Sequence, residues 1–164
     1  MTDRTPPTGR NLWLGLAGFL ALSVAVLSLG GAVTAPAIEV WYQGLAKPSW
    51  TPPDWLFGPV WTALYLTMAV AAWLVWRRWG WQGARCALTL YLVQLGLNFL
   101  WSPAFFGLRD PLLGMIVIVP LWLAAAATTV AFFRKQALAG WLFVPYLAWA
   151  SYATGLNAAI LALN

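Results

Sequence analysis

Five uncharged stretches, separated by charged or proline-rich breaks, set the hydropathy pattern of this chain. Leu12 to Val33, Trp55 to Trp76, Cys86 to Leu108, Leu112 to Phe133 and Ala137 to Leu163 each run 22 residues or more without a charge. An α-helix needs about 20 residues to cross a bilayer. The pattern therefore predicts an all-α membrane protein, a single domain folded as a bundle of five transmembrane helices. The first stretch is longer than a signal-peptide core and lacks its cleavage pattern, so it reads as a true helix. Met1 to Asn11 reads as a polar tail. Residues 34–54 form the longest break, and Pro48, Pro52 and Pro53 bar a regular helix there. Because that break also carries Trp41, Tyr42 and Trp50, it reads as a structured lid over a binding site.

Polar positions inside the apolar stretches are few, and they recur at helical spacing. Trp61 pairs with Tyr65 at i+4; Gln94 pairs with Asn98 and Trp101; Tyr146 pairs with Trp149, Ala153 and Asn157. A buried amide facing lipid would lose about 1–3 kcal/mol of hydrogen bonding, so these three faces are expected to point into the bundle. At ~1.5 Å per residue, Trp61 and Trp101 fall about 8 to 10 Å inside the lid end, and Trp149 nearer the bilayer centre. Two readings follow. The amides hold helices together, or, with aromatics at similar depth, they line a cavity for a flat, largely apolar ligand. Trp13, Trp76, Trp79, Trp81 and Trp141 lie at span ends and read as an interfacial belt.

Composition narrows the function classes. Of 164 residues, 62 % are hydrophobic and 8 % charged, with a mean hydropathy of +0.75, which excludes a water-soluble domain. Seven cations (Arg4, Arg10, Arg77, Arg78, Arg85, Arg134, Lys135) fall on the tail side, and two (Lys47, Arg109) on the lid side. Positive-inside reasoning then places the N-terminus in the cytoplasm and the lid and C-terminus outside. No basic face suits nucleic acid. Cys86 is alone and histidine is absent, which leaves no intrachain disulfide, no imidazole metal site and no His acid–base pair. No acid lies within a span to relay protons, no matched halves point to alternating access, and no fixed cofactor such as axially ligated haem is expected.

These residues resemble the TspO/MBR family, the tryptophan-rich sensory proteins and mitochondrial translocator proteins also called peripheral benzodiazepine receptors. The likeness is carried by Trp41-Tyr42, Lys47-Pro48-Ser49-Trp50 with Pro52-Pro53, and Gly58-Pro59-Val60-Trp61 with Leu64-Tyr65. It continues through Asn98 with Trp101 and Phe105-Phe106-Gly107, and through Pro145-Tyr146-Leu147-Ala148-Trp149 with Leu156-Asn157. The resemblance implies a five-helix bundle, commonly a homodimer in the lipid bilayer, that binds porphyrins such as protoporphyrin IX beneath the first loop. For some members it also implies sterols and isoquinoline or benzodiazepine-type drugs. It links Trp61 and Trp149 to light-dependent porphyrin degradation in bacterial relatives, and assigns Tyr65, Asn98, Trp101, Ala153 and Asn157 to the pocket, with Ala153 keeping one wall small. Trp41 of the lid, and Gln94 and Tyr146 of the inward faces, complete the candidate site.

Two departures stand out. The chain ends Ala158-Ala159-Ile160-Leu161-Ala162-Leu163-Asn164, without the aromatic and basic residues of the animal sterol pattern, so sterol binding through that motif is not expected. Leu112-Leu113 stands where animal members carry a pocket tryptophan. The expectation is a bacterial cell-membrane receptor or carrier of tetrapyrroles. The alternatives are a light- and oxygen-dependent porphyrin-degrading enzyme and a structural interaction protein.

Overall fold

A computed structural model describes residues 9–164; most of the predicted polar tail lies outside them. The helices are α1 Arg10–Val40, α2 Phe57–Gly83, α3 Arg85–Ser102, α4 Pro111–Lys135 and α5 Ala137–Leu163. All five are long and apolar enough to cross a membrane, and no strand occurs among the described residues. The architecture is the predicted transmembrane bundle. α4 packs along both α3 and α5, and α2 along α1 and α5. α1 is the outermost helix, with only 6 % of its most apolar window buried.

Three boundaries differ from the apolar pattern. α1 runs through Pro36 to Val40 rather than stopping at Val33, which shortens the lid to Trp41–Pro53. The proline removes one ladder bond, while Ala37, buried in the cluster of Tyr42, Phe105 and Phe106, holds the following turn in place. α2 continues past Trp76 and leaves helical geometry only at Gly80 (φ 62°, ψ −179°), a left-handed backbone that glycine adopts without strain. The third span ends as a π-turn over Pro103–Gly107. Its wider winding brings Phe105 and Phe106 into the interior together, 4.8 Å between ring centroids. Asp110 then caps α4, accepting from the Leu112 and Leu113 amides at 2.8 and 3.1 Å.

Lipid is as apolar as a leucine side chain, so close packing and polar bonds hold these helices together. Two clusters result. One, toward the basic end of the bundle, contains Met68, Tyr91, Phe132 and Phe143; the other, under the lid, contains Tyr42, Phe105, Leu156 and Ile160. Glycines let large rings in: a Cβ on Gly140 would overlap the Phe133 ring, and one on Gly15 the Trp76 indole. Trp76 therefore departs from the predicted belt, filling space beside α1 and meeting Phe19 edge-on at 6.2 Å. Trp13 and Trp141 point outward near their helix ends, 70 % and 65 % exposed.

The α4–α5 contact gives a stability test. Gly140→Val is expected to cost about 1–3 kcal/mol through overpacking, seen as a lower melting temperature in detergent. Gly155→Val, where a Cβ meets nothing within 4 Å, should leave melting nearly unchanged.

Candidate ligand-binding site

A single amide joins three helices just below the aromatic layer. Asn98 of α3 accepts from the Tyr65 hydroxyl of α2 at 2.6 Å and donates through Nδ2 to the Tyr146 hydroxyl of α5 at 2.8 Å. All three residues are buried. A second amide, Asn157 of α5, donates to the Pro111 carbonyl at 2.8 Å and accepts from Trp101 Nε1 at 3.2 Å. Gly114 allows that approach, because a Cβ there would lie 2.8 Å from Asn157 Oδ1 and 2.6 Å from the Phe105 ring. Both amides thus spend their bonds between helices, and in doing so fix the aromatic walls.

Those walls enclose two compartments. The inner one holds about 380 Å³ of empty space including its mouth, and is bounded by Trp61, Trp101, Trp149, Ala153 and Asn157 with Tyr42 from the lid. The outer one, about 830 Å³ including its mouth, opens between α1, α2 and α3 and is bounded by Gly30, Thr34, Asp54, Tyr65, Asn98 and Ser102. Phe57, Trp61, Trp101 and Phe106 line both and so form a partition.

Three residues of the candidate set line neither compartment. Trp41 braces the wall from behind, 5.5 Å from Phe105. Tyr146 backs Trp61 at 6.5 Å. Gln94, one helical turn from Asn98 toward the basic end, is fully buried; its Nε2 lies 3.9 Å from Met68 Sδ and its Oε1 has no partner. The expected depth difference between Trp61 and Trp149 also disappears: their rings meet edge-on at 6.3 Å, and Trp149 contacts Phe57 at 6.2 Å. The reason is that α2 begins only at Phe57, level with the middle of α5.

Tyr42, Phe57, Phe105, Phe106 and Tyr152 line the inner compartment, yet the spacing argument did not single them out. Tyr42 and the phenylalanine pair stand inside the sequence blocks that carry the family resemblance. Both phenylalanines lie in the π-turn and are buried.

The lid is pinned along the last turns of α5. Lys47 Nζ donates to the carbonyls of Tyr42, Gln43 and Leu45 at 2.6, 3.2 and 3.2 Å and lies 4.7 Å above the Tyr42 ring. Asn164 donates to the Ala46 carbonyl and accepts from the Ala46 amide, both at 3.0 Å. Tyr152 donates its hydroxyl to the Trp50 carbonyl at 2.7 Å. Against this satisfied network, two buried polar groups of the inner wall have no partner, the Tyr42 hydroxyl and Trp149 Nε1. Burial pushes the Tyr42 phenol up to about 12, and the nearby Asp54 carboxylate adds to the shift.

Sequence comparison decides the family. A profile of the TspO/MBR family matches residues 19–163, a span that contains every residue of both compartments. The chain belongs to the TspO/MBR family. Among TspO/MBR relatives, the tryptophan-rich protein TspO of Archaeoglobus fulgidus is 43 % identical over 88 % of this chain and 95 % of its own length. The tryptophan-rich sensory protein of Cereibacter sphaeroides is 43 % identical over 93 % of this chain and 92 % of its own. The human translocator protein is 46 % identical over 71 % of this chain and 70 % of its own. Family and spans together make this an integral, multi-pass membrane protein.

Two tests address the lid and its support. The Tyr42 phenol is protonated more tightly in the folded chain than the ordinary value of 10. Its contribution to lid closure is therefore complete below pH 10 and lost as pH rises toward 12. Hydrogen exchange at Gln43–Trp50 should accelerate over that window, and Tyr42→Phe should remove the phenol's share of the change. Asn98→Leu strands two buried phenols and is expected to destabilise the bundle by about 2–4 kcal/mol, read by detergent melting.

Proposed function

We propose that this chain is a membrane receptor or carrier for porphyrins, protoporphyrin IX-like tetrapyrroles, held inside the bundle beneath the lid. The carrying observation is the compartment walled by Trp61, Trp101 and Trp149, whose only two buried polar atoms without a partner are the Tyr42 hydroxyl and Trp149 Nε1. Indole faces suit a flat conjugated ring, and the two donors suit a carboxylate or carbonyl at its edge. A macrocycle broader than the inner compartment fits by turning Trp61 and Trp101, which opens the partition into the outer one. With no histidine in the chain, no imidazole is offered as an axial ligand, so metal-free or loosely held rings suit the site best. Other flat apolar molecules, including isoquinoline or benzodiazepine-type compounds, enter by the same stacking.

The relatives' names, sensory protein and translocator protein, support a role in sensing or moving the ligand. The charge asymmetry supports the N-terminus inside and the lid outside, and family likeness supports a bacterial cell membrane and a homodimer.

A second reading is favoured by the edge contact of Trp61 and Trp149. A bound porphyrin excited by light lies against two adjacent oxidisable indoles, an arrangement suited to oxygen-dependent breakdown of the ring. Illumination without oxygen then yields no product. Product formed equally in the dark without oxygen would refute this chemistry.

Binding is tested by titrating protoporphyrin IX and following tryptophan fluorescence. Trp61→Phe and Trp149→Phe are each expected to weaken apparent affinity roughly five- to twentyfold, while Trp141→Phe leaves it unchanged. Saturable binding unaltered in both pocket variants would count against the site.

A further inference from the structure

A separate groove lies between α3 and α4 at the end of the bundle opposite the lid. It holds about 940 Å³ of empty space including its open side, with Leu90, Ala127 and Val130 along its wall and Arg134 and Lys135 at its rim. From Arg134 to Ala126, which also lines it, α4 descends about 12 Å. The wall therefore faces hydrocarbon while the rim sits at headgroup level.

The two cations differ in their engagement. Lys135 Nζ is fixed, donating to the Gly83 carbonyl at 2.7 Å and lying 4.8 Å above the Trp79 ring. Arg134 is exposed. Arg77, Arg78 and Arg85 share this end, whereas the described carboxylates, Glu39, Asp54 and Asp110, all lie at the lid end. The groove thus joins an apolar trough to cations that no described carboxylate neutralises.

We infer that this groove binds one anionic phospholipid, its acyl chain along Leu90, Ala127 and Val130 and its phosphate on the Arg134 guanidinium. A guanidinium meets two phosphate oxygens in one plane, and a headgroup of net negative charge is favoured over a zwitterion by the cations at the groove's own rim, Arg134 with Lys135 beside it. A second copy of the chain fits worse. Facing this groove in the same orientation, it would bring another Arg85 and Arg134 to the same depth, and like charges across an interface oppose association.

Native mass spectrometry of the full chain, titrated with phosphatidylglycerol and with phosphatidylcholine of identical chains, tests the assignment. The wild type is expected to retain phosphatidylglycerol about fivefold more strongly or better. Arg134→Gln should remove that preference, Arg134→Lys should largely keep it, and Ala127→Phe should lower retention by filling the trough. Arg85→Gln, off the groove, should keep the preference. Equal retention of the two lipids overturns the proposal, as does an equal loss in Arg85→Gln and Arg134→Gln, which would mean a diffuse basic rim. Displacement by glycerol phosphate as effective as displacement by the lipid would make this a site for free phosphate and also overturn it. So would efficient Cys86–Cys86 crosslinking between copies in phosphatidylglycerol liposomes, because Cys86 lines the same groove.

Discussion

The hydrogen-bonded bridge from Tyr65 through Asn98 to Tyr146 is the constraint on which the rest of the bundle depends. Between lipid-facing helices there is no water to satisfy two phenols and an amide, so each must find the others. Their pairing sets the spacing of α2, α3 and α5. That spacing fixes how close Trp61 and Trp149, about one turn nearer the lid, come to each other. The same rule operates once more at Asn157, which ties α5 to the start of α4 and orients Trp101. Two amides therefore hold three indoles, and the cavity walls gain their shape from polar bonds behind them.

Backbone irregularities do the complementary work. The π-turn at Pro103–Gly107 carries two adjacent buried phenylalanines. Gly114 gives up a side chain so that Phe105 and Asn157 share one space. Proline and lysine shape the lid: the prolines stiffen its course, and Lys47 gathers the carbonyls of Tyr42, Gln43 and Leu45 around the single 3-10 turn Tyr42–Gly44. A loop so organised has little chain entropy left to lose.

Much of this was legible in the sequence, for identifiable reasons. Five spans follow from run length alone, because uncharged runs of this length suit a helix, which satisfies its own backbone in lipid, and exceed what a barrel strand needs. Spacing of three and four put Trp61, Asn98, Trp101, Trp149 and Asn157 on inward faces, and the helices do bring those faces together. Spacing does not report depth between helices, so Gln94 fell below the cavity floor and Trp149 rose level with Trp61. Nor does it report local winding, which is why spacing did not place Phe105 and Phe106 on the inner wall although they stand in a family block. Trp76 looked interfacial by position, but Gly15 on a neighbouring helix made room for it inside. The glue and cavity readings of the amides turned out to be compatible, since a side chain can bond sideways and still present an edge to a space.

α5 carries Trp149, Ala153 and Asn157 on the cavity wall, then Tyr152 and Asn164 as anchors of the lid. Beyond Pro145 this segment is an uninterrupted helix. Wall and clasp consequently ride on one rod, so a shift of α5 that widens the cavity also drags the closure above it. The width of the space inside the membrane and the state of the surface loop are thereby a single mechanical coordinate.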